Sequence, residues 1–334
     1  MIQHDIDLKP FNTFGISAMA AAFAEISSTE DLDQLFLKST DNYLILGGGS
    51  NILFTQNPEG LVLKINLKGI EVIKETDQYV YVKAAAGETW HQFVLHAIKN
   101  NWGGIENLSL IPGSVGASPM QNIGAYGVEI KDVFEELEAY HIDTKEIHRF
   151  NAEECRFGYR ESVFKRHLKG QYIILSVTYR LTKNPVINTS YGAIMSELEY
   201  MGISKPTIKD VSDAVIRIRS SKLPDPKEIG NAGSFFKNPV VPAELFNNLK
   251  KKYPNIPSYP VSATEVKIPA GWLIEQDGWK GKTIDQYGVH KNQALVLVNY
   301  RNAQGRDIFN LSAQIIESVK NRFGIELERE VNIV

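Results

Sequence analysis

The stretch IPGSVGASPMQNIGAYG, residues 111–127, decides how the rest of this 334-residue chain is interpreted. It contains four glycines, two prolines, small residues and almost no charge. Glycines accept positive φ angles and let a ligand approach the backbone closely, and the N–H groups exposed in this way can form an anion-binding nest. The stretch is equally typical of a glycine-rich crossover packed between two layers.

A second glycine loop lies in residues 44–54, LILGGGSNILF. A short apolar strand leads into glycines and Ser50, an arrangement that presents backbone N–H groups to phosphate. The loop is not a dinucleotide fingerprint, because the last glycine of G-x-G-x-x-G is missing. It is not a P-loop either, because G-K-[ST] is absent. Two such loops fit a long ligand with a pyrophosphate in its middle.

Composition excludes several classes of protein. Hydrophobic residues make up 43% and charged residues 22% of a chain with net charge -3, which is typical of a globular protein of two or three domains. The chain lacks a basic tract, a membrane-spanning run and an N-terminal signal segment, so we expect neither nucleic acid nor a membrane as partner. The single cysteine, Cys155, indicates a reducing cytosol and is more often packed than nucleophilic. No histidine or cysteine spacing predicts a metal site.

Strands that alternate with helices predict layers of the α/β type. Periodicity and caps predict helices at residues 28–38, 88–100, 207–219 and 306–323. Strands are predicted at residues 44–46, 61–65, 79–82, 133–142, 172–181, 294–299 and 325–334. Residues 133–142 and 172–181 alternate, and the odd positions Ile325, Leu327, Val331 and Ile333 of the last strand are expected to face the core. Turns are predicted at residues 12–15 and around Tyr191-Gly192. A capping box is predicted from Thr207 to Asp210, and the helix 306–323 is expected to bury one apolar stripe and to end at Gly324. The main boundary is placed near SKLPDP, residues 221–226, because Pro224 and Pro226 forbid a continued helix.

Three residues are candidates for chemistry. Ser234 lies in NAGSFFKNP, where a hydroxyl without a base can still pass a proton, although a turn serine is the simpler interpretation. Arg160 in RFGYRES can bind a carboxylate through two parallel hydrogen bonds, or it can be a surface arginine on a loop. Glu330 is one of three acids on a single strand face, for which the default is a solvated face. Tyr191 and Lys222 are similarly open.

The motifs as a set resemble one family. GGGSNILF, ENLSLIPGSVGASPMQNIGAYG, ECRFGYRES, SKLPDPKEIGNAGSFFKNP, PAGWLIEQ, HKNQALVLVN and LEREV follow the order found in UDP-N-acetylenolpyruvoylglucosamine reductases, the MurB family. The resemblance runs from about Leu8 to the end of the chain. The segment with Tyr191 is similar to the extra loop of the type I subgroup, in which a tyrosine closes over the substrate.

This resemblance implies an α+β fold of the PCMH/vanillyl-alcohol-oxidase type. Residues 1–220 are then an FAD-binding region of two lobes, and residues 221–334 a substrate-binding domain whose last strand returns to the active site. The implied enzyme is a cytoplasmic monomer with non-covalent FAD and with NADPH as hydride donor. Hydride passes from flavin N5 to C3 of the enolpyruvyl group of the UDP-sugar and a serine protonates C2. The product, UDP-N-acetylmuramate, serves peptidoglycan synthesis and hence cell shape and division.

Site residues follow from the resemblance position by position. The implied catalytic set is Ser234 as proton donor, with Arg160 and Glu330 at the substrate carboxylate. The implied substrate contacts are Tyr159, Tyr191, Lys222, Asn238, Tyr259, Lys280 and Gln293. The implied FAD contacts are Gly47, Gly48, Gly49, Ser50, Asn51, Ile111, Pro112, Gly113, Ser114, Gly116, Ala117, Ser118, Gln121, Asn122, Gly124, Ala125, Tyr126 and Gly127. The departures are Arg329, where proline would be familiar, and the small-for-small residues Ser114 and Ala117.

Two rival interpretations use the same sequence. Another FAD-linked oxidoreductase of this fold, acting on a hydroxy acid or alcohol, would use the first half equally well but would not explain NAGSFFKNP or the terminal glutamate. A nucleotide-sugar-binding protein without catalysis would need Ser234, Arg160 or Glu330 replaced, and all three are present.

Overall fold

The structure is a computed structural model that describes residues 1–35, 37 and 41–334. The α-helices are α1 Thr29–Gln34, α2 Trp90–Lys99, α3 Ala152–Cys155, α4 Gly192–Tyr200, α5 Ile208–Lys222, α6 Ala243–Lys252, α7 Ala270–Gln276 and α8 Gly305–Phe323. The first strands are β1 Gln3–Asp7, β2 Met19–Ile26, β3 Tyr43–Leu46, β4 Ile52–Leu53, β5 Leu61–Ile65, β6 Ile70–Glu75, β7 Tyr79–Ala85, β8 Gly124–Ala125, β9 Val128–Glu129, β10 Phe134–His141, β11 Ile147–Asn151 and β12 Tyr172–Thr182. The remaining strands are β13 Gly230–Ser234, β14 Val240–Pro242, β15 Tyr259–Pro260, β16 Glu265–Lys267, β17 Thr283–Ile284, β18 Tyr287–Val289, β19 Val296–Asn299 and β20 Asn332–Ile333.

The chain forms two compact units. Unit 1 contains residues 1–6, 20–49 and 59–221, and unit 2 contains residues 7–19, 50–58 and 222–334. The chain passes from one unit to the other between Ser221 and Lys222, beside the SKLPDP segment. The proposed FAD-binding region, residues 1–220, includes two short segments that in the structure belong to unit 2.

Unit 1 is built on two sheets. Strands β2, β5 and β3 run parallel in a sheet of order β1-β2-β5-β3, and a second sheet of order β11-β10-β12-β7-β6 is antiparallel. One apolar core joins residues of both sheets with α2, whose Trp90, Phe93 and Val94 are fully buried. The alternation predicted for residues 172–181 is wrong, because β12 lies between β10 and β7 and is buried almost along its whole length.

The helices of unit 1 follow their predicted caps. In α1, the Ser28 side chain accepts from the amide of Asp31 and closes a capping box. The end of the predicted helix, with Phe36 and Lys38, lies outside the described residues. Thr207 and Asp210 form the predicted box before α5, which runs three residues beyond its predicted end. The sequence missed α4, because Tyr191 and Gly192 were interpreted as a turn, whereas they form its N-terminus.

Unit 2 combines small sheets with α7 and α8. Its sheets have the orders β13-β19-β18-β17 and β14-β16-β15, and β20 pairs in parallel with β4. The predicted apolar stripe of α8 is buried, and Gly324 ends the helix with a φ of 70° as predicted. The turn predicted at residues 12–15 is confirmed by the Gly15 amide, which donates to the carbonyl of Asn12.

The end of the chain differs from its prediction. Ile325, Leu327 and Val331 are buried as expected, but Ile333 is 36% exposed. The predicted strand 325–334 is reduced to β20, because the pairing partners change along the segment. Residues 328–330 contact residues 235–237, whereas Asn332 and Val334 contact Asn51 and Leu53.

Candidate active site

The two glycine loops predicted to hold one ligand contact each other in unit 1. A Cβ added at Gly48 would lie 2.8 Å from Cα of Gly113, and one added at Gly47 would lie 2.7 Å from the Ser114 hydroxyl. Only glycine permits so close an approach of two backbones. The N–H groups of Gly48 and Gly113 have no hydrogen-bond partner within the described residues. Adjacent loops with unpaired amides fit the pyrophosphate of FAD.

The rest of the stretch 111–127 is fastened to the sheet below it. The Gly116 amide donates to Ala86 O at 2.9 Å, and a Cβ at Gly116 would come within 2.5 Å of the Ala86 side chain. Ser118 and Asn122 are fully buried, and their side chains bond to protein groups such as the Tyr179 hydroxyl and Gly158 O. These side-chain bonds fix the conformation of the loop. The backbone groups of the loop that make no such bond are available to bind a cofactor.

A partly buried cation, Arg219, lies beside this loop, and the sequence analysis did not single it out. Arg219 Nε donates to Leu110 O at 3.3 Å, and its guanidinium also bonds to Tyr126. Burial lowers the pKa of Arg219 and no carboxylate pairs with it in the described part of the chain. A desolvated cation without an anion is costly, so this position favours a ligand with negative charge. In the sequence, the only sign of Arg219 as a binding residue was its position shortly before the SKLPDP motif.

His91, like Arg219, bonds to the backbone of Leu110, which directly precedes the glycine loop. The Leu110 amide donates to His91 Nδ1 at 3.0 Å, which assigns the proton to Nε2. Burial lowers the pKa of His91, with the Arg219 charge as a second cause. Leu110 has a φ of 58°, a strained conformation for a leucine, so the neutral imidazole helps to hold the entry into the glycine loop.

Arg160, predicted to bind a carboxylate, is in contact with the same loop. Its Nη2 donates to Gly124 O at 2.7 Å, and its guanidinium lies 5.4 Å from the ring of Tyr159. Arg160 also has a φ of 55°, and strain of this kind persists only where surrounding contacts impose it. The guanidinium direction is therefore fixed by the backbone of the predicted FAD loop.

Tyr191 is a half-exposed side chain at the N-terminus of α4. Its ring meets the Tyr126 ring edge-on at 5.2 Å and is 44% exposed. Asn107, a second residue that the sequence analysis missed, donates to Tyr126 O at 3.0 Å and to Asn188 O at 3.1 Å. Asn107 thus ties the glycine loop to the segment that carries Tyr191.

Ser234 and Glu330 are brought together in unit 2. Ser234 is exposed, and its hydroxyl has no hydrogen-bond partner among the described residues. Phe235 and Phe236, which follow it, are 0% and 1% exposed. The Glu330 amide donates to Phe235 O at 2.8 Å, so the glutamate lies on a segment paired with the residue that follows Ser234, whose own strand partner is Val296.

Asn51 is a neighbour of Glu330. Its Nδ2 donates to Glu330 O at 3.3 Å, and its carbonyl accepts from the amide and the side chain of Asn332. The loop residue implied as an FAD contact therefore also holds the segment with the glutamate.

Predicted substrate residues of unit 2 form two groups. Asn238 Oδ1 accepts from the Ala270 amide at 2.9 Å, and Gln293 Oε1 would lie 3.1 Å from a Cβ at Gly271, so both border the start of α7. Tyr259, 49% exposed, pairs in register with Lys267, a cation that the sequence analysis did not single out.

The remaining predicted lysines lie apart from these groups in the sequence. Lys280 pairs with Glu275 at 2.8 Å, and exposed Lys222 ends α5.

Cys155 is fully buried and its pKa is raised to about 12 by burial, which confirms that it is packed and leaves its thiol unreactive. Within residues 1–35, 37 and 41–334, three metal-ligating side chains nowhere converge, and no helix is long and apolar enough to cross a membrane.

Comparisons with known proteins agree with this arrangement. Residues 20–150 match the family model described as FAD binding domain, and residues 225–334 match the C-terminal domain of UDP-N-acetylenolpyruvoylglucosamine reductase. The UDP-N-acetylenolpyruvoylglucosamine reductase of Flavobacterium johnsoniae is 56% identical over 100% of this chain and 99% of its own length. The chain belongs to the UDP-N-acetylenolpyruvoylglucosamine reductase family.

Further relatives support the membership of this chain in the reductase family. The protein of that name from Amoebophilus asiaticus is 50% identical over 100% of this chain and 99% of its own length. The crystal structure of the reductase MurB from Thermus caldophilus superposes with a TM-score of 0.71 at 22% identity, covering 100% of this chain and 99% of that one, which shows the fold. The α+β fold with an FAD-binding domain and a MurB C-terminal domain is confirmed. The chain is an FAD-dependent oxidoreductase of peptidoglycan precursor synthesis.

Proposed function

We propose that this chain uses NADPH to reduce the enolpyruvyl group of UDP-N-acetylglucosamine-enolpyruvate, forming UDP-N-acetylmuramate. The observation that carries the proposal is the pairing of Glu330 with Phe235, because it presents Ser234 and a carboxylate on adjoining backbone. A reduction of this kind needs hydride at C3, a proton at C2 and a fixed charge near the substrate carboxylate. Bound FAD supplies the hydride after it has been reduced by NADPH.

The chain's own residues supply the proton and the charges. Ser234 donates its hydroxyl proton to C2; the buried rings of Phe235 and Phe236 form an apolar side of its surroundings, which favours transfer from a weak acid. Arg160 offers a guanidinium whose direction is fixed by Gly124 O, and such a preorganised cation stabilises the charge that develops on the carboxylate side. Glu330 lies with Arg160 beside the substrate carboxylate and stabilises the enol that develops there, and solvent water restores the proton of Ser234.

Other residues bind the cofactor and the substrate. The amides of Gly48 and Gly113, which donate to no other described residue, and the charge of Arg219 hold FAD without a covalent bond. Tyr191, Tyr259, Lys222 and Lys280 bind the UDP part, and Asn238 and Gln293 bind the sugar side through the side-chain atoms not used at α7. We further propose that the enzyme acts as a cytoplasmic monomer, since the composition favours neither a membrane nor nucleic acid as partner.

Stopped-flow measurement of the two half-reactions tests the function. NADPH should bleach the flavin of wild type, and anaerobic addition of the enolpyruvyl substrate should restore its colour. Ser234→Ala should leave the first half near wild type and slow the second by about 10²–10⁴-fold, the contribution of a positioned proton donor. Ser262→Ala, an exposed serine of unit 2, is the matched control. Equal slowing of both halves in Ser234→Ala would contradict the assignment.

The mode of FAD attachment has its own measurement. After precipitation with acid, the yellow colour should be found in the supernatant. A yellow pellet would show a covalent link and overturn non-covalent binding.

A further inference from the structure

Arg329 is a charged residue at a core-facing position of the terminal segment. Its neighbours two positions away, Leu327 and Val331, are 3% and 4% exposed. The Arg329 Nε donates to the Ser312 hydroxyl of α8 at 2.7 Å, and its guanidinium carbon lies 4.5 Å from the centre of the Phe309 ring. The side chain is therefore clamped between a hydroxyl and an aromatic face of one helix.

Stability alone does not account for this arginine. Burial lowers the pKa of Arg329, and no carboxylate contacts its guanidinium within the described residues. Replacing a desolvated ion by an apolar residue of similar volume is often neutral or stabilising. Buried polar contacts can be kept because their fixed geometry sets the register of a strand or the direction of its side chains. The contacts of Arg329 with α8 are of this kind.

The residue whose direction is set is Glu330. The backbone of Arg329 forms a bridge with Phe236, and the Glu330 amide donates to Phe235 O. Successive side chains of an extended segment point to opposite faces, and a shift of one residue exchanges the faces. An arginine held on α8 therefore keeps the Glu330 side chain on the face away from the helix.

We propose that Arg329 is a positioning residue that fixes the direction and register of Glu330. The chemical role of Glu330 rests on the proposed function, whereas the fixing of the segment does not. As a positioning residue, Arg329 acts on Glu330 through the backbone that the two residues share, and Phe309 and Ser312 of α8 hold its side chain.

Hydrogen exchange tests the clamp without any reaction. The amides of Glu330, Asn332 and Val334 donate to Phe235 O, Asn51 O and Leu53 O, so they should exchange slowly in wild type. In Arg329→Met we expect exchange at Glu330 to rise by about tenfold or more, with an unchanged or higher Tm. Arg322→Met, which removes another arginine of unit 2 beside an aromatic ring of α8, should leave exchange at Glu330 unchanged. Unchanged exchange in Arg329→Met overturns the proposal, whatever wild type catalyses.

Kinetics test the consequence for Glu330. In Arg329→Met the reduction of the flavin by NADPH should keep its rate, and the second half-reaction should slow by about 10- to 100-fold, the usual effect of a small misplacement. Ser312→Ala should act in the same direction but less, and Arg329→Lys should recover only part of the rate, because lysine lacks the planar group. A wild-type second half-reaction in Arg329→Met, or equal slowing of both halves with a lower Tm, overturns the proposal. If wild type itself does not reduce the enolpyruvyl substrate, the proposed function fails while the exchange result still decides the clamp.

Discussion

The amide of Glu330 donates to the carbonyl of Phe235 at 2.8 Å. This bond joins the last segment of the chain to the residue that follows Ser234, although 95 positions separate the two partners in the sequence (330 minus 235). The sequence pattern by itself favoured a solvated position for Glu330, and its catalytic role was implied by the family resemblance. The pairing places Glu330 next to the residue that follows Ser234. Backbone hydrogen bonds thus bring together the segments that carry the proposed proton donor and the proposed catalytic glutamate.

The contact of the glycine loops predicts the effect of a single methyl group. Gly48→Ala would place its Cβ 2.8 Å from the backbone of Gly113, so one of the two loops must move. We expect the purified variant to contain much less FAD than wild type, as measured by the ratio of flavin absorbance to protein absorbance. In Gly192→Ala, where an added Cβ meets no atom within 4 Å, the FAD content should be normal. Full FAD content in Gly48→Ala would contradict the role of the loop contact.

Arg219→Met should weaken FAD binding without lowering the thermal stability of the FAD-free protein. If Arg219 binds FAD as proposed, the loss of its charge removes a charge-assisted contact and should raise Kd roughly 10- to 150-fold, or about 1.5–3 kcal/mol. The Tm of the FAD-free protein should stay equal or rise, because the cation has no carboxylate partner among the described residues. Titration of the FAD-free protein with FAD measures the first effect. Arg217→Met, an exposed arginine of α5 paired with Glu197, is the control; equal Kd values for the two variants would refute the role of Arg219.

His91 predicts a pH dependence. Its pKa is lowered in the folded protein by burial and by Arg219, so between that value and about 6.5 the unfolded chain binds more protons than the folded one. The stability that neutral His91 provides is therefore complete above about pH 6.5 and is lost as the pH falls through the lowered pKa.

Thermal melts between pH 7.5 and 5 measure this effect. His91→Asn keeps an acceptor for the Leu110 amide but cannot become charged, so its Tm should fall less on acidification than the Tm of wild type. His290 is buried with a lowered pKa as well, and His290→Asn shows how much of the fall belongs to that residue. The same fall in His91→Asn and wild type would exclude His91 as a source.

Tyr191→Phe should affect the substrate and spare the flavin. The ring contact with Tyr126 is kept, and only the hydroxyl is lost. We expect KM for the UDP-sugar to rise by about 10-fold, in line with the loss of one hydrogen bond to a charged group, whereas FAD content and reduction by NADPH stay near wild type. Tyr200→Phe, with a 79% exposed side chain at the end of the same helix, should not change KM. Loss of FAD in Tyr191→Phe would show that the tyrosine belongs to the cofactor site.

Local features of the fold were predictable from short stretches of sequence. The caps at Ser28 and Thr207 and the glycine after α8 were found because each depends on residues within one helical turn. The strand β12 was assigned correctly, but its burial was not, because a central position in a sheet depends on which strands pair with it. Helix α4 was missed because its N-terminus at Tyr191 carries no side-chain cap.

The candidate site divides in the same way. Glycine-rich loops, Ser234, Arg160 and Glu330 could be proposed from the sequence because their motifs are continuous, and their roles remain predictions. Arg219 and Asn107 were not singled out, because their partners lie far along the chain, and Lys267 was not, because its partner depends on a hairpin that the sequence did not predict. Arg219 reaches Leu110, Asn107 reaches Asn188, and Lys267 pairs with Tyr259 across a turn.

The sequence by itself determined the order of the motifs, and with it the family, the candidate FAD loops and the candidate proton donor. The tertiary structure alone decided that Gly48 packs against Gly113, that Arg219 is partly buried beside the glycine loop, and that Arg329 is held on α8 next to Glu330 in the chain. The physical reason is the range of the interactions. Caps, turns and periodicity are settled between residues a few positions apart, whereas the approach of two backbones and the burial of a charge depend on how the sheets and helices of each unit close around them.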